Sequence, residues 1–362
     1  MDWKRKNTKT VTVGNVLIGG GNPISIQSMT NTSTADVKAT LAQIQKLAQA
    51  GCQIIRLAVP DFEGAAALRS IVTSSPIPVV ADIHFDYKLA LASIEAGVHG
   101  LRLNPGNIGG RQKVKEVALA AKERNIPIRV GVNAGSLEKD LLEKHGGICP
   151  QAMVESALGH IHMLEEEGFD QIVVSLKSSD VICMIDAYEQ MSAFSDYPLH
   201  IGLTEAGTVR RGSIKSALAV GILLSRGIGD TIRISLTGDP VEEVLVAKEI
   251  LQALHLCKRG FNFISCPTCG RTQVDVEKIA LQVEDALSGI EPPFPVSIAV
   301  MGCAVNGPGE AKSADIGIAG GKGEGLLFCK GQVVGRYANA DLAKALLDHV
   351  QILLSTEQIT KT

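Results

Sequence analysis

The sequence predicts an α/β chain, a (β/α)8 TIM-type barrel followed by a smaller α+β domain. Three observations predict it. From residue 23 to about 258, a short β-branched run followed by a small-residue amphipathic segment recurs eight times, as in a parallel sheet covered by helices. Gln27 and Arg233, on the first and last of those runs, lie 206 residues apart; the seven steps between them average about 29 residues, the length of a barrel repeat. Beyond residue 258 the pattern breaks into prolines (Pro292, Pro293, Pro295), glycine-rich turns and short strands. The domains are therefore placed at 1–258 and 259–362.

The expected barrel strands are Ile24–Met29, Ile54–Val59, Pro78–Ile83, Gly100–Asn104, Pro127–Asn133, Gln171–Lys177, Leu199–Thr204 and Thr231–Leu236. Helices lie between them. Ala35–Ala50 puts Val37, Leu41, Ile44 and Leu47 on one face, and Gly51, Gly97, Gly168 and Gly227 stand where helix-terminating glycines belong. The polar 135–147 segment reads as an extended loop after the fifth strand. A final barrel helix is expected over Val241–Leu256. In the second domain, strands are expected at Val296–Val300, Ile316–Ala319, Gly325–Cys329 and Gln332–Tyr337, with helices at Val274–Leu287 and Leu342–Leu354.

Composition narrows the function. Apolar residues are 45% and charged residues 20% of the 362, enough for a large core and unlike a disordered chain. The net charge of -3 and 4% aromatic content argue against nucleic-acid binding but leave room for a local basic pocket. The basic N-terminal segment lacks a following apolar run, and no stretch approaches the roughly 20 apolar residues of a membrane span. A soluble cytoplasmic protein is expected, with its eight cysteines as thiols, metal ligands or redox groups.

Cations stand where buried strands should be apolar: Arg56, Arg102, Arg129, Lys177 and Arg233, on five different strands. Unpaired buried charge is costly, so these side chains are expected near strand ends with partners. Functional side chains of barrels project from the C-terminal strand ends, and arginine grips phosphate bidentately. The pattern points to a polyanionic, diphosphate-like ligand. Asp82 and His84 alternate on one strand face and read as partners of the arginines or of a ligand hydroxyl. Glu205, after the seventh strand, is a candidate proton donor or acceptor; the plainer reading makes it the ion-pair partner of Arg233.

Cys266-Pro-Thr-Cys269 is a C-x-x-C, and Cys303 follows 34 residues later beside glycine-rich backbone. Three cysteines suit an iron–sulfur cluster with one iron left for another ligand, such as Glu310 or Asn306. Structural zinc, which wants four ligands, a redox dithiol and inert thiols remain open. Gly320–Gly323 is no P-loop, since no Ser or Thr follows Lys322, and His160 with His162 lacks the i, i+4 spacing of a zinc pair.

Several motifs recur in one family. They are Gln27-Ser-Met-Thr30, Ala81-Asp-Ile-His84, Gly100-Leu-Arg-Leu-Asn-Pro-Gly106, Arg129-Val-Gly-Val-Asn133, Ser175-Leu-Lys177, Leu203-Thr-Glu-Ala-Gly207, Ile232-Arg-Ile-Ser-Leu-Thr237, Ser265-Cys-Pro-Thr-Cys269 and Gly302-Cys-Ala-Val-Asn-Gly-Pro-Gly-Glu310. Over nearly the whole chain the sequence resembles the bacterial 4-hydroxy-3-methylbut-2-en-1-yl diphosphate synthases, in the shorter form without an inserted domain. The resemblance implies reductive opening and dehydration of 2-C-methyl-D-erythritol 2,4-cyclodiphosphate, an isoprenoid precursor, with two electrons from flavodoxin or ferredoxin. It makes the second domain an iron–sulfur domain, with a [4Fe-4S] cluster on Cys266, Cys269 and Cys303 and with Glu310 on the fourth iron. It assigns Arg56, Arg102, Arg129, Lys177, Arg233 and Ser235 to the diphosphate, helped by Asn133. Glu205 would handle a proton, and Asn306 would lie near the fourth iron. It further implies a homodimer in which one chain's cluster domain faces the partner's barrel. The rival reading, a redox-inactive lyase or aldolase on a sugar phosphate with a structural zinc domain, keeps the cations and discards the cluster.

Overall fold

The computed structural model describes residues 4–257, 259–303, 305 and 307–360. The chain divides into two compact units, one ending at Leu254 and the other beginning at His255.

The first unit opens with an antiparallel hairpin, β1 (Val11–Val13) and β2 (Val16–Ile18). Eight parallel strands follow: β3 (Ser25–Met29), β4 (Ile54–Ala58), β5 (Val79–Asp82), β6 (Gly100–Leu103), β7 (Ile128–Asn133), β8 (Ile172–Lys177), β9 (His200–Ile201) and β10 (Thr231–Ile232). β3 to β8 pair in sequence, β10 pairs with both β3 and β9, and a Val174–Leu199 bridge joins β8 to the start of β9, completing the ring. The eight expected strands are all present. The last two are shorter, and beyond them only scattered bonds continue: Thr204 N–H donates to Ser178 C=O and Thr237 N–H to Gly207 C=O, past the ends of the neighbouring strands, while Leu236 N–H turns to the Glu243 carboxylate.

The first helix, Val37–Ala50, begins two residues later than expected. The Asp36 side chain accepts from Ala39 N–H, satisfying an otherwise orphaned donor, and the helix ends at Gly51 with φ +109°, a conformation costly for any residue with a Cβ. The 135–147 segment is not a plain loop; it carries a 3-10 turn (Ala134–Ser136) and a short helix (Lys139–His145).

The N-terminal hairpin was not anticipated. Val13 and Ile18 pack on Ile54 and Val80, which lie near the N-terminal ends of β4 and β5, so the hairpin covers that end of the ring. Six residues of β-structure with a two-residue Gly-Asn turn are too short for periodicity to stand out.

The second unit holds a five-stranded sheet in the order β11 (Gly260–Ser265), β12 (Pro295–Met301), β13 (Ile316–Ala319), β14 (Glu324–Cys329) and β15 (Gln332–Ala338). The first three strands are parallel and the rest antiparallel. Helices Val276–Leu287 and Leu342–Thr360 supply Val283, Leu287, Leu346 and Val350 to the core over Val296, Ile298 and Ile316. β11 is the strand the sequence did not reveal.

Candidate functional site

Strand parity builds the site in two layers. Side chains two apart share a face, and one face of every barrel strand points inward. Gln27, Val80, Gly100, Arg129, Val173, His200 and Thr231, one from each of seven strands, line a small cavity inside the ring. Two or four residues further along those strands, Met29, Asp82, Arg102, Asn133, Lys177 and Arg233 line a cup of about 810 Å³, joined by Arg56 from β4. The cup thus opens at the C-terminal strand ends, where barrel chemistry sits.

Arg56, Arg102 and Lys177 are each at most 7% exposed. Among the described residues the two arginines share the Asp82 carboxylate: its oxygens lie 3.5 Å from Arg56 Nε, 3.2 Å from Arg102 Nη1 and 3.6 Å from His84 Nε2. Burial alone would raise the Asp82 carboxyl. Arg56, His84 and Arg102 outweigh it and hold the group well below the usual carboxylate range. Burial, opposed by Asp82, pushes the Arg56 guanidinium down to about 9, and it remains charged at neutral pH. Arg56 also donates through Nε and Nη2 to Met29 Sδ, at 3.2 and 3.0 Å.

Lys177 has no ion-pair partner among the described residues. Burial, reinforced by Arg56, Arg233, Arg129 and Arg102, pushes its ammonium well below the ordinary lysine value. Asn133 accepts from Arg102 at 3.5 Å. Gly131, beneath that guanidinium, must lack a side chain: an added Cβ would stand 2.5 Å from Arg102 Nε. Gly131→Ala is expected to push Arg102 off its position and weaken pyrophosphate binding roughly 10–100-fold, the cost of one charge-assisted contact, read by calorimetric titration.

Arg233 differs from the sequence expectation. Its partner is Glu243, at 3.4 Å, and not Glu205. Glu243 lies in the first turn of helix Pro240–Ala253, is 5% exposed, and also accepts from Ser28 Oγ and Leu236 N–H. Glu205 is exposed on the cup rim, has no ion-pair partner among the described residues, and sits at φ +52°, a region sparsely used by residues with a Cβ. Arg129 does not line the cup; it donates to Gln27 in the cavity below. Ser235 is half-buried and also outside the cup lining.

In the second unit, Cys266 follows β11 and Cys303 follows β12. These strands are parallel neighbours with Ser265 opposite Val300, so both cysteines follow the same, C-terminal end of the strand pair. Cys266 Sγ accepts Gly302 N–H at 3.1 Å, a contact Gly302 allows because a Cβ there would meet Val276 and Thr272 at under 3.0 Å. Hydrogen bonding from the Arg271 backbone, aided by its side chain and Thr272, holds the Cys269 thiol below the ordinary value. Glu310 is exposed in the short helix Gly307–Ser313; Asn306 lies outside the described residues. Among the described residues no three metal-ligating side chains surround a common point. The donor chemistry itself, Cys266 and Cys269 thiols that accept backbone hydrogen bonds, the latter lowered, fits an iron–sulfur group.

Comparison with known proteins identifies two domains. A GcpE TIM-barrel domain matches residues 8–248 and a GcpE protein C-terminal domain matches residues 262–352. A Geobacter sulfurreducens protein named 4-hydroxy-3-methylbut-2-en-1-yl diphosphate synthase (flavodoxin) is 59% identical over 351 residues, covering 97% of this chain and 99% of that protein. The Clostridium perfringens protein of the same name is 56% identical, covering 96% and 99%. Among solved structures, Yersinia pestis dihydropteroate synthase superposes with a TM-score of 0.51 at 13% identity, covering 70% of this chain and all of that one; this likeness concerns the fold alone. Among the described residues no helix is long and apolar enough to cross a membrane.

Proposed function

Because the chain belongs to the GcpE family, we propose that it carries out the reaction for which its relatives are named: reductive opening and dehydration of 2-C-methyl-D-erythritol 2,4-cyclodiphosphate to 4-hydroxy-3-methylbut-2-en-1-yl diphosphate. The observation that carries this reading is the surplus of buried positive charge. Five inward-facing cations, Arg56, Arg102, Arg129, Lys177 and Arg233, meet two buried carboxylates, Asp82 and Glu243, among the described residues. Such a surplus is costly until a polyanion answers it.

In this reading Arg56, Arg102, Lys177 and Arg233 clamp the diphosphate, and Asn133 and His84 orient it. Arg129 and Ser235 are assigned to the same anion through the family resemblance. Glu205 delivers the proton that leaves with water. A [4Fe-4S] cluster on Cys266, Cys269 and Cys303, with Glu310 at its fourth iron, would supply the two electrons and a Lewis-acidic site for a substrate oxygen; Asn306 would lie beside it. Flavodoxin, for which the relatives are named, is the electron donor; ferredoxin is the alternative. The working assembly is a homodimer in the cytoplasm, with each cluster domain serving the partner's barrel. The zinc-stapled lyase reading loses ground because the relatives are named for a flavodoxin-dependent synthase.

Iron and acid-labile sulfide analysis of anaerobically purified protein tests the cluster, and consumption of the cyclodiphosphate under a chemical reductant tests the reaction. Stoichiometric zinc without sulfide would overturn the reading. The depressed Lys177 ammonium gives a further check. A bound diphosphate raises its affinity for a proton, so pyrophosphate binding is expected to take up protons in the pH window between the lowered free value and the raised bound one. Calorimetry in buffers of different ionisation enthalpy measures that uptake, and Lys177→Met should reduce it.

A further inference from the structure

His160, whose spacing from His162 does not suit a zinc pair, is buried at 2% exposure in the helix Pro150–Glu165, one turn from Ser156 at 4%. Polar side chains at two core-facing positions, where an apolar stripe belongs, need a partner. They share one. Glu138 Oε1 lies 2.8 Å from His160 Nε2 and accepts from Ser156 Oγ at 3.1 Å. Hydrogen bonding from His160 outweighs burial and holds the Glu138 carboxyl down at about 2. The group is ionised at neutral pH and only accepts, so His160 Nε2 carries the proton of their bond. The other ring nitrogen, Nδ1, has no hydrogen-bond partner among the described residues.

Glu138 belongs to a segment that walls the cup. Residues 134–148 follow β7 and bring Ala134, Gly135, Ser136 and Ile148 to the cup lining. The segment is fastened to the helix Pro150–Glu165 at two places. Lys144 and His145 reach Glu155 at 2.6 and 2.8 Å, but these pairs are open to solvent and weakly held. Glu138 ends on the buried Ser156 and His160. The loop after β6 meets the same knot. An added Cβ on Gly106 would stand 2.7 Å from His160 Nε2 and 3.2 Å from Glu138 Oε1, and Asn104 Oδ1 accepts Gly106 N–H at 3.0 Å. These two loops continue from the strands that carry Arg102 and Asn133, which bond to each other. One carboxylate thus ties to a single helix both segments that leave this side of the cup.

We propose, resting on the reading of the cup as a diphosphate site, that Glu138, Ser156 and His160 are positioning residues: by pinning the loops after β6 and β7 they hold Arg102 and Asn133 in place to receive the anion. None of the three is among the residues that line the cup. They act through the loops and not by touching the ligand.

The test uses the full chain, purified anaerobically, with inorganic pyrophosphate as the probe. His160→Leu fills the space and removes the donor, whereas His160→Gln keeps a side-chain N–H. His160→Leu is expected to weaken pyrophosphate binding about tenfold by calorimetry, the loss of one charge-assisted bond, and His160→Gln to recover most of it. With the cyclodiphosphate as substrate, the loss should fall on KM more than on kcat, as for a contact made equally in ground and transition states. Trypsin reports on the loop itself, because Lys139 and Lys144 lie in the 134–148 segment; cleavage after them should accelerate in His160→Leu and slow again when pyrophosphate is added. Glu138→Ala, a change in the loop that leaves the helix side chains in place, should reproduce the weakening, and it decides the matter should His160→Leu fail to fold. Variants that melt at a lower temperature yet bind pyrophosphate as the unaltered protein does would make the knot merely structural and overturn the proposal. Absence of pyrophosphate binding by the unaltered protein would overturn the diphosphate reading and this proposal together, a result distinguishable from the first.

Discussion

Asp82→Ala is expected to destabilise the barrel by about 3–5 kcal/mol, the cost of leaving buried charge without its partner, as measured by urea unfolding. The effect is large because this one carboxylate serves two buried guanidiniums, Arg56 and Arg102, and a histidine. Asp82→Asn should cost nearly as much, which would identify charge and not packing as the cause. The same group sets an acid limit. Its folded-state carboxyl lies below the ordinary value, so its contribution is fully present above the unfolded carboxylate range and is lost as pH falls through that range toward the lowered value. A midpoint of urea unfolding that drops on acidification in the native protein, but not in Asp82→Asn, is the expected signature; equal acid sensitivity in both would assign the transition to other groups.

Glu205→Gln is expected to lower turnover by about 10²–10⁴-fold, the usual contribution of a positioned proton donor. The ultraviolet–visible spectrum and iron content should remain those of the unaltered protein. The substitution is informative because Glu205 stands free on the rim. It makes no ion pair among the described residues, so removing its charge breaks no structural partnership, and glutamine tolerates the φ +52° backbone much as glutamate does. Unchanged turnover would remove Glu205 from the chemistry.

Much of this architecture could be read from the chain alone. Buried parallel strands leave continuous apolar runs, and helices between them leave a 3.6-residue period, so all eight barrel strands were legible. Arg56, Arg102, Lys177 and Arg233 stood out because each interrupts such a run. Their ion-pair partners did not. Glu243 sits beside Glu242 in the first turn of a helix, where acidic residues are ordinary complements to the helix dipole; nothing local marks it as the partner of Arg233, ten residues earlier. Arg129 shows a different limit. Its spacing matches the other cations, but whether an inward side chain belongs to the upper or lower layer depends on how the ring is staggered, which one strand's sequence does not contain. His200 was equally hidden, since a histidine at the start of a short strand reads as a surface residue.

The ring closure carries a consequence for how the molecule is made. β3 lies between β4 and β10, with Ser25 opposite Thr231 and Ile26 opposite Ile232. During vectorial synthesis its second neighbour emerges from the ribosome only after some two hundred further residues, so an open sheet edge persists through most of translation. Chains released before residue 231 retain that edge and are expected to depend on chaperones or precipitate, whereas chains ending soon after the helix that reaches Ala253 have every strand needed to seal the first unit.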